Sequence, residues 1–210
     1  MNRSLVSPVK ALLFDIGGVV IDFDFNRVFE RWANDSRRSL EEIQSRFSFD
    51  HSFEAFERGE IEATDYFNSL RTTLGIDISD RQFEDGWNRV YIGEIDGMAE
   101  LLEFAQQRLP IYALTNSNAV HKEIWSTQFG KILSRFRTVF NSSDIGKRKP
   151  DPEVFHFIAD ATGVDLHQMI LYDDLVENIA GAQAVGMNTV HVTAISDVEK
   201  SFQTIFRTCN

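Results

Sequence analysis

Four apolar runs in this sequence each lead to a side chain able to do chemistry. "KALLFD" ends on Asp15, and "PIYALTN" ends on Thr115 and Asn116. "TVFNS" runs on to "GKRKPDP", which carries Lys149, and "MILYDD" ends on Asp173 and Asp174. Taken singly, each has an ordinary explanation. Asp15 could cap a turn, Thr115 could satisfy a strand-end backbone group, Lys149 is one of three cations in a charged loop, and Asp173 and Asp174 could cap a helix. Taken together they are harder to dismiss. Adjacent carboxylates at the end of an apolar strand repel one another and lose hydration unless a cation joins them. Asp15, Asp174 and water would give hard oxygen donors suited to Mg²⁺, which takes few carboxylates and completes its shell with phosphate. A lysine and a hydroxyl opposite the metal would neutralise the other phosphoryl oxygens. A carboxylate nucleophile, Mg²⁺, Lys149 and Thr115 form a sufficient kit for phosphoryl transfer through a phospho-aspartate.

To meet, these residues must lie along one edge of a sheet. The runs are short, continuous and rich in β-branched residues, as strands buried on both faces of a parallel sheet are. A further run, "NTVHVT", closes the series at 188–193. Helical patterns separate them at 95–108, 119–134, 152–162 (with Pro152 in its first turn) and 175–186 (ending at Gly186). The alternation predicts an α/β fold with a doubly wound parallel sheet, whose ligands bind outside the carboxyl ends of the strands. The stretch 23–92 breaks this rhythm. It holds no convincing strand and several helix-like segments, at 26–35, 39–49, 52–58, 62–74 and 79–90. "SLEE" at Ser39–Glu42 and "SDRQ" at Ser79–Gln82 have the pattern of capping boxes, and Gly59 and Gly75 that of helix stops. The expected organisation is a core made of 1–22 and 93–210, with a helical cap inserted at 23–92 over the site.

Bulk properties narrow the function. The 210 residues are 43% hydrophobic and 25% charged, as in an ordinary globular protein with a sizeable core. A net charge of −11 argues against nucleic acid and anionic membranes as partners, while leaving room for a small phosphorylated substrate held by local cations and a metal. The single cysteine, Cys209, excludes a disulfide within the chain and fits a reduced, cytoplasmic setting. Arg3 and Lys10 precede an apolar run that Asp15 interrupts, so no targeting peptide is expected. No apolar segment approaches the roughly 18 residues that span a bilayer. A monomer or homodimer is expected.

The ordered set "FDIGGVV", "ALTNSN", "KRKPDPEVF" and "LYDDLVENIAGAQAVGM" resembles the four motifs of the haloacid dehalogenase-like (HAD) hydrolases. The likeness spans nearly the whole chain. It is nearest to a bacterial branch with a small helical cap, which includes an α-D-glucose-1-phosphate phosphatase; "DFDFNRVFERW", "FERGEI" and "GWNRVY" carry that part. The resemblance implies a Rossmann-like core and a Mg²⁺-dependent phosphatase. Asp15 would be the nucleophile and a metal ligand. Thr115 and Asn116 would bind phosphoryl oxygens, and Lys149 would pair with Asp15 and the phosphate. Asp174 would ligate Mg²⁺, with Asp173 and Asn178 behind it, and residue 17 would give the metal its backbone carbonyl.

Gly17 is the departure. Most phosphatases of this superfamily have there an aspartate that serves as general acid and then base, help worth roughly 10²–10⁴-fold. Glycine keeps the carbonyl and loses the acid. Three readings follow: an active phosphatase whose leaving group needs little help, with sugar 1-phosphates and acyl phosphates as examples; a phosphate-binding or regulatory protein; or a dehalogenase. The last is hard to reconcile with "YDD", because those carboxylates would face an anionic haloacid without a metal. Substrate choice would lie in the inserted segment. Phe23, Phe25, His51 and Arg58 are its candidates, although His51 is more readily explained as a surface helix-cap histidine and Arg58 as a surface ion-pair partner. His121 is a candidate for the pocket mouth, and Trp32, Trp87 and Trp125 read as packing.

Overall fold

Strand β1 (Ala11–Phe14) is buried on both faces, as its unbroken apolar run requires. The structure is a computed structural model that describes residues 8–207; Arg3 and Cys209 lie outside the described residues. A short strand β2 (Ile21–Phe23) follows. Five helices come next: α1 (Asn26–Ser36), α2 (Leu40–Arg46), α3 (His51–Glu57), α4 (Ala63–Leu74) and α5 (Asp80–Trp87). The chain then alternates through β3 (Tyr91–Glu94), α6 (Met98–Gln106), β4 (Ile111–Thr115), α7 (Ala119–Gln128), α8 (Gly130–Leu133), β5 (Val139–Asn141) and α9 (Ser142–Ile145). It closes through α10 (Pro152–Thr162), β6 (Met169–Asp173), α11 (Val176–Ala184), β7 (Asn188–His191) and α12 (Ile195–Arg207).

Five strands form one parallel sheet in the order β5-β4-β1-β6-β7. Because side chains alternate along a strand, β1 feeds two cores. Leu12 and Phe14 pack with Met98, Leu102, Trp125 and Phe202 on one face. Ala11 and Leu13 pack with Val154, Phe155 and Ile158 on the other. The chain moves outward from β1 to β4 and β5, then crosses back to β6 on the other side of β1. That reversal is where an open α/β sheet forms its ligand crevice, and Asp15, Thr115 and Asp173 all stand at the carboxyl ends of the strands beside it.

The helices α1–α5 gather a separate apolar cluster around Trp32, Phe83 and Trp87, all fully buried. Both expected capping boxes are formed: Ser39 accepts from the Glu42 amide and Ser79 from the Gln82 amide, with each partner side chain reaching back. Gly75 closes α4 in the left-handed conformation. Three features depart from the sequence expectation. β3 occupies residues where no strand is expected, because its partner β2 lies some seventy positions away and its sequence, Tyr-Ile-Gly-Glu, does not alternate apolar with polar residues. Phe23 pairs with Tyr91 and Asp22 with Gly93, with an irregularity between them. The helix expected at 119–134 breaks at Phe129. α12, strongly amphipathic, forms beyond the last element the sequence predicts, and its Val198 and Phe202 seal the first core.

Gly86 gives this cluster a sharp test. Trp32 stacks on Phe83 with ring centroids 4.3 Å apart, and its indole N–H donates to the Phe83 carbonyl at 2.9 Å. A methyl at Gly86 would collide with that indole. Alanine ordinarily improves a helix by about 1 kcal/mol over glycine, but overpacking costs about 1–3 kcal/mol. Gly86→Ala is expected to lower the calorimetric Tm by a few degrees. A rise would show that the ring has room to move.

Candidate active site

Asp15 follows β1 directly. Its backbone N–H donates to the Tyr172 carbonyl on β6 at 2.8 Å, its Oδ1 accepts from the Ile16 amide at 2.7 Å, and its Oδ2 lies 2.9 Å from Lys149 Nζ. The ammonium also contacts Asp173 Oδ2 at 2.7 Å. Lys149 and Asp173 are both fully buried. The other Asp173 oxygen accepts from the Leu175 amide and from Asn178 Nδ2, each at 2.9 Å. Both oxygens of Asp173 are therefore committed, whereas Asp174 beside it is half-buried and faces the turn after β1. Gly18 lies there at φ 73°, and a methyl group on it would strike the Asp174 carboxylate. Glycine at 18 is what lets the two loops meet.

Asn116 anchors Lys149 through its backbone. The Asn116 side chain donates to the Lys149 carbonyl at 2.8 Å and accepts from its amide at 2.9 Å. The geometry thus gives this side chain a positioning task. Thr115 is buried at the end of β4, its hydroxyl makes no hydrogen bond to another described residue, and no described N–H claims the Gly17 carbonyl. One carboxylate oxygen from each of Asp15, Asp173 and Asp174 falls within 4.8 Å of the others. Three carboxylates around one ammonium leave excess negative charge in a dry site. Burial pushes the Asp15 carboxyl up to about 8 against the pull of Lys149. Burial and the charge of Asp173 also raise Asp174. Burial alone would lower the Lys149 ammonium, but Asp15 and Asp173 more than reverse that. The donors are all oxygen, a set that fits a hard divalent cation such as Mg²⁺.

The inserted helices meet this floor at two seams. Arg148, next to Lys149, binds Glu57 at 3.0 Å and Glu54 at 3.1 Å on α3. The Ser142 hydroxyl donates to the Glu57 carbonyl at 2.6 Å. Burial pushes the Glu57 carboxyl up to about 6, with Arg148 pulling the other way. At the second seam, His121 stacks on Trp87 at 4.9 Å and points Nε2 at the Trp87 carbonyl, 3.0 Å away. A carbonyl only accepts, so Nε2 carries the hydrogen and Nδ1 accepts from Asn118. Burial holds His121 down to about 4.

Of the residues named from the sequence, Asp15, Thr115, Asn116, Lys149, Asp173, Asp174 and Asn178 come together at one strand edge, with Gly17 beside them. His51 is exposed near Glu54, and Arg58 is committed to Glu60. His121 is at the seam, away from any mouth. Phe23 lies over Gly17. The sequence reading missed Glu57, Arg148 and Ser142. Glu57 left one trace: it sits four positions after Phe53, on the apolar face of its helix, where a carboxylate needs a partner.

Comparison with known proteins shows which family the chain resembles along most of its length. Residues 9–186 match the model of the haloacid dehalogenase-like hydrolase family. The chain is 30% identical over 198 residues to a sesquiterpene phosphatase of Aspergillus oryzae, covering 90% of this chain and 92% of that protein. It is 24% identical over 193 residues to a D-ribitol-5-phosphate phosphatase of Bacteroides thetaiotaomicron, covering 86% and 90%. It superposes with a TM-score of 0.79 and 26% identity on a HAD family enzyme of the same bacterium, solved as an aspartate-to-alanine mutant with magnesium and inorganic phosphate, covering 89% of this chain and 95% of that one.

Two outcomes follow from the charges. Lys149→Met strands two buried carboxylates and should cost about 3–5 kcal/mol in urea unfolding without divalent cation; a loss below about 1 kcal/mol would mean that the pair is not needed for the fold. His121 has a folded pKa depressed from 6.5 to about 4, so the unfolded chain binds more protons in that window. Its contribution is full above about pH 6.5 and is lost as pH falls towards 4. As pH is lowered from 7 to 4, unfolding free energy should therefore fall less steeply for His121→Gln than for wild type, by up to about 1.4 kcal/mol per pH unit. Parallel profiles would show that His121 is not the titrating group.

Proposed function

This chain belongs to the haloacid dehalogenase-like hydrolase family, and from that premise we propose that it is a Mg²⁺-dependent phosphatase acting on a small phosphorylated metabolite. The observation that carries the reading is the buried Asp15–Lys149–Asp173 chain with Asp174 beside it, set at the crevice of the sheet. The relatives named as phosphatases, and the related enzyme solved with magnesium and phosphate, support it.

In this reading Asp15 attacks phosphorus in line with the ester oxygen. The new P–O bond forms as the ester P–O bond breaks, and the leaving group departs with the electron pair. Water then attacks phosphorus, the bond to Asp15 breaks, the carboxylate is regenerated and inorganic phosphate is released, the proton lost by water balancing the one taken up by the leaving oxygen. Lys149 holds Asp15 through Oδ2 and offers charge to a phosphoryl oxygen. The Thr115 hydroxyl and the Asn116 backbone amide supply further donors, and Asp173 with Asn178 fixes the lysine. Asp15, Asp174 and the Gly17 carbonyl would hold Mg²⁺, which when bound supplies positive charge to the phosphoryl oxygens. The segment 23–92 would serve as the cap, docked through Arg148–Glu57 and His121–Trp87, and would exclude water when closed.

With glycine at 17, no side chain there protonates the leaving oxygen. A water molecule takes that task, or the leaving group needs little help. The sequence favours a sugar phosphate, and the relative named for D-ribitol 5-phosphate supports a phosphorylated polyol. The relative named for a sesquiterpene supports an apolar organic group. A dehalogenase would set its anionic substrate against Asp174.

The test is phosphate release from acetyl phosphate and α-glucose 1-phosphate, with Mg²⁺ or with EDTA. Asp15→Asn is expected to lose on the order of 10⁴-fold or more in kcat while keeping its fold by circular dichroism, and EDTA should silence the wild type. Wild-type release no faster than Asp15→Asn on both compounds would favour a phosphate-binding role without turnover.

A further inference from the structure

Resting on the phosphatase reading, we infer that the organic group of the substrate is apolar and packs against Phe23, whose ring covers Gly17. A Cβ built on Gly17 would stand 3.0 Å from Phe23 Cε1 and 3.2 Å from Cδ1. The space over residue 17, two positions after the nucleophile, is therefore held by an aromatic edge. A carboxylate could not occupy it unless the ring moved. Phe23 is nevertheless 38% exposed, so part of the ring faces outward beside the site.

Further exposed apolar side chains lie on neighbouring segments, among exposed acids such as Asp22 and Glu177. Six large apolar side chains are exposed among the described residues: Phe23, Phe49, Ile92, Phe104, Leu175 and Val176. Leu175 and Val176 directly follow Asp174, and the Leu175 amide is fixed to Asp173. The contact of Gly18 with Asp174 brings that loop against the loop that carries Gly17. Phe23 meets Phe25 edge-on at 6.3 Å, and Phe25 meets the 60% exposed Phe49 at 5.2 Å. Ile92 lies on β3, the partner strand of Phe23. Phe104, on α6 under Arg108, packs against Phe202 and Phe206 and stands apart. A charged floor rimmed by exposed apolar groups matches a ligand with an anionic head and an apolar body. A polyol would leave those rings facing hydroxyls with few polar partners. The continuity of rim and floor assigns the apolar surface to the substrate.

The test compares benzyl phosphate with D-ribitol 5-phosphate. Both are primary alkyl esters, so leaving-group basicity is nearly matched and the organic group is the variable. Wild-type kcat/KM with Mg²⁺ should favour benzyl phosphate by about tenfold or more. Phe23→Ala should shrink that ratio about tenfold, mainly through KM for benzyl phosphate, and Phe23→Leu should keep most of it. Val176→Asp, at a 63% exposed position, should shrink the ratio as well and serves if Phe23→Ala fails to fold. A wild-type preference for ribitol 5-phosphate, or a ratio unmoved by these variants, overturns the inference and leaves the phosphatase reading standing. Release from both esters no faster than in Asp15→Asn overturns both. A wild-type dimer by light scattering that Val176→Asp dissociates assigns the rim to a second copy and overturns the inference.

Discussion

The fully buried ammonium of Lys149 is the group on which this structure turns. It sits 2.9 Å from Asp15 and 2.7 Å from Asp173 and lets neighbouring parallel strands carry carboxylates at a dry sheet edge. Such a group is costly unless every partner is in place. Asn116 fixes the lysine backbone from β4, and Asn178 with the Leu175 amide fixes the second carboxylate from α11. Three separate parts of the chain thus converge on one charge. The floor that results is rigid and still too negative, which is the condition under which a hard cation is retained.

The same loop joins the floor to the inserted helices. Arg148 precedes Lys149 and reaches Glu57 and Glu54 on α3, so the residue beside the buried lysine is also the one that docks the inserted helices. The opposite seam uses no charge: a neutral histidine lies flat on Trp87 and is aimed by Asn118. Between the seams, the absence of a side chain at Gly17 is matched by the presence of Phe23. What reads in the sequence as a deletion of one acid is, in three dimensions, an exchange of a polar group for an aromatic surface.

Much of this was legible from local patterns. The apolar runs gave the strands within a residue or two, the capping boxes at Ser39 and Ser79 gave helix starts, and Pro152 gave the start of α10. Asp15, Thr115, Asn116, Asp173 and Asp174 could be named because each ends an apolar run, and a doubly wound sheet brings such ends together; Lys149 stands further on, in the charged loop after β5. The strand β3 was not legible, since its existence depends on pairing with Phe23 far away in the chain. Arg148 read as one loop cation among three until Glu57 appeared opposite it.

The sequence by itself determined the alternation of strand and helix, the helical character of the insertion and the chemistry of the floor, because strand burial, capping and glycine turns are properties of neighbouring residues. Only the tertiary structure decided that Asp173 is fully committed while Asp174 is not, that His121 is a neutral seam residue, and that a ring covers Gly17. Those facts depend on distances between residues as far apart as Glu54 and Arg148, 94 positions along the chain, and no local pattern encodes them.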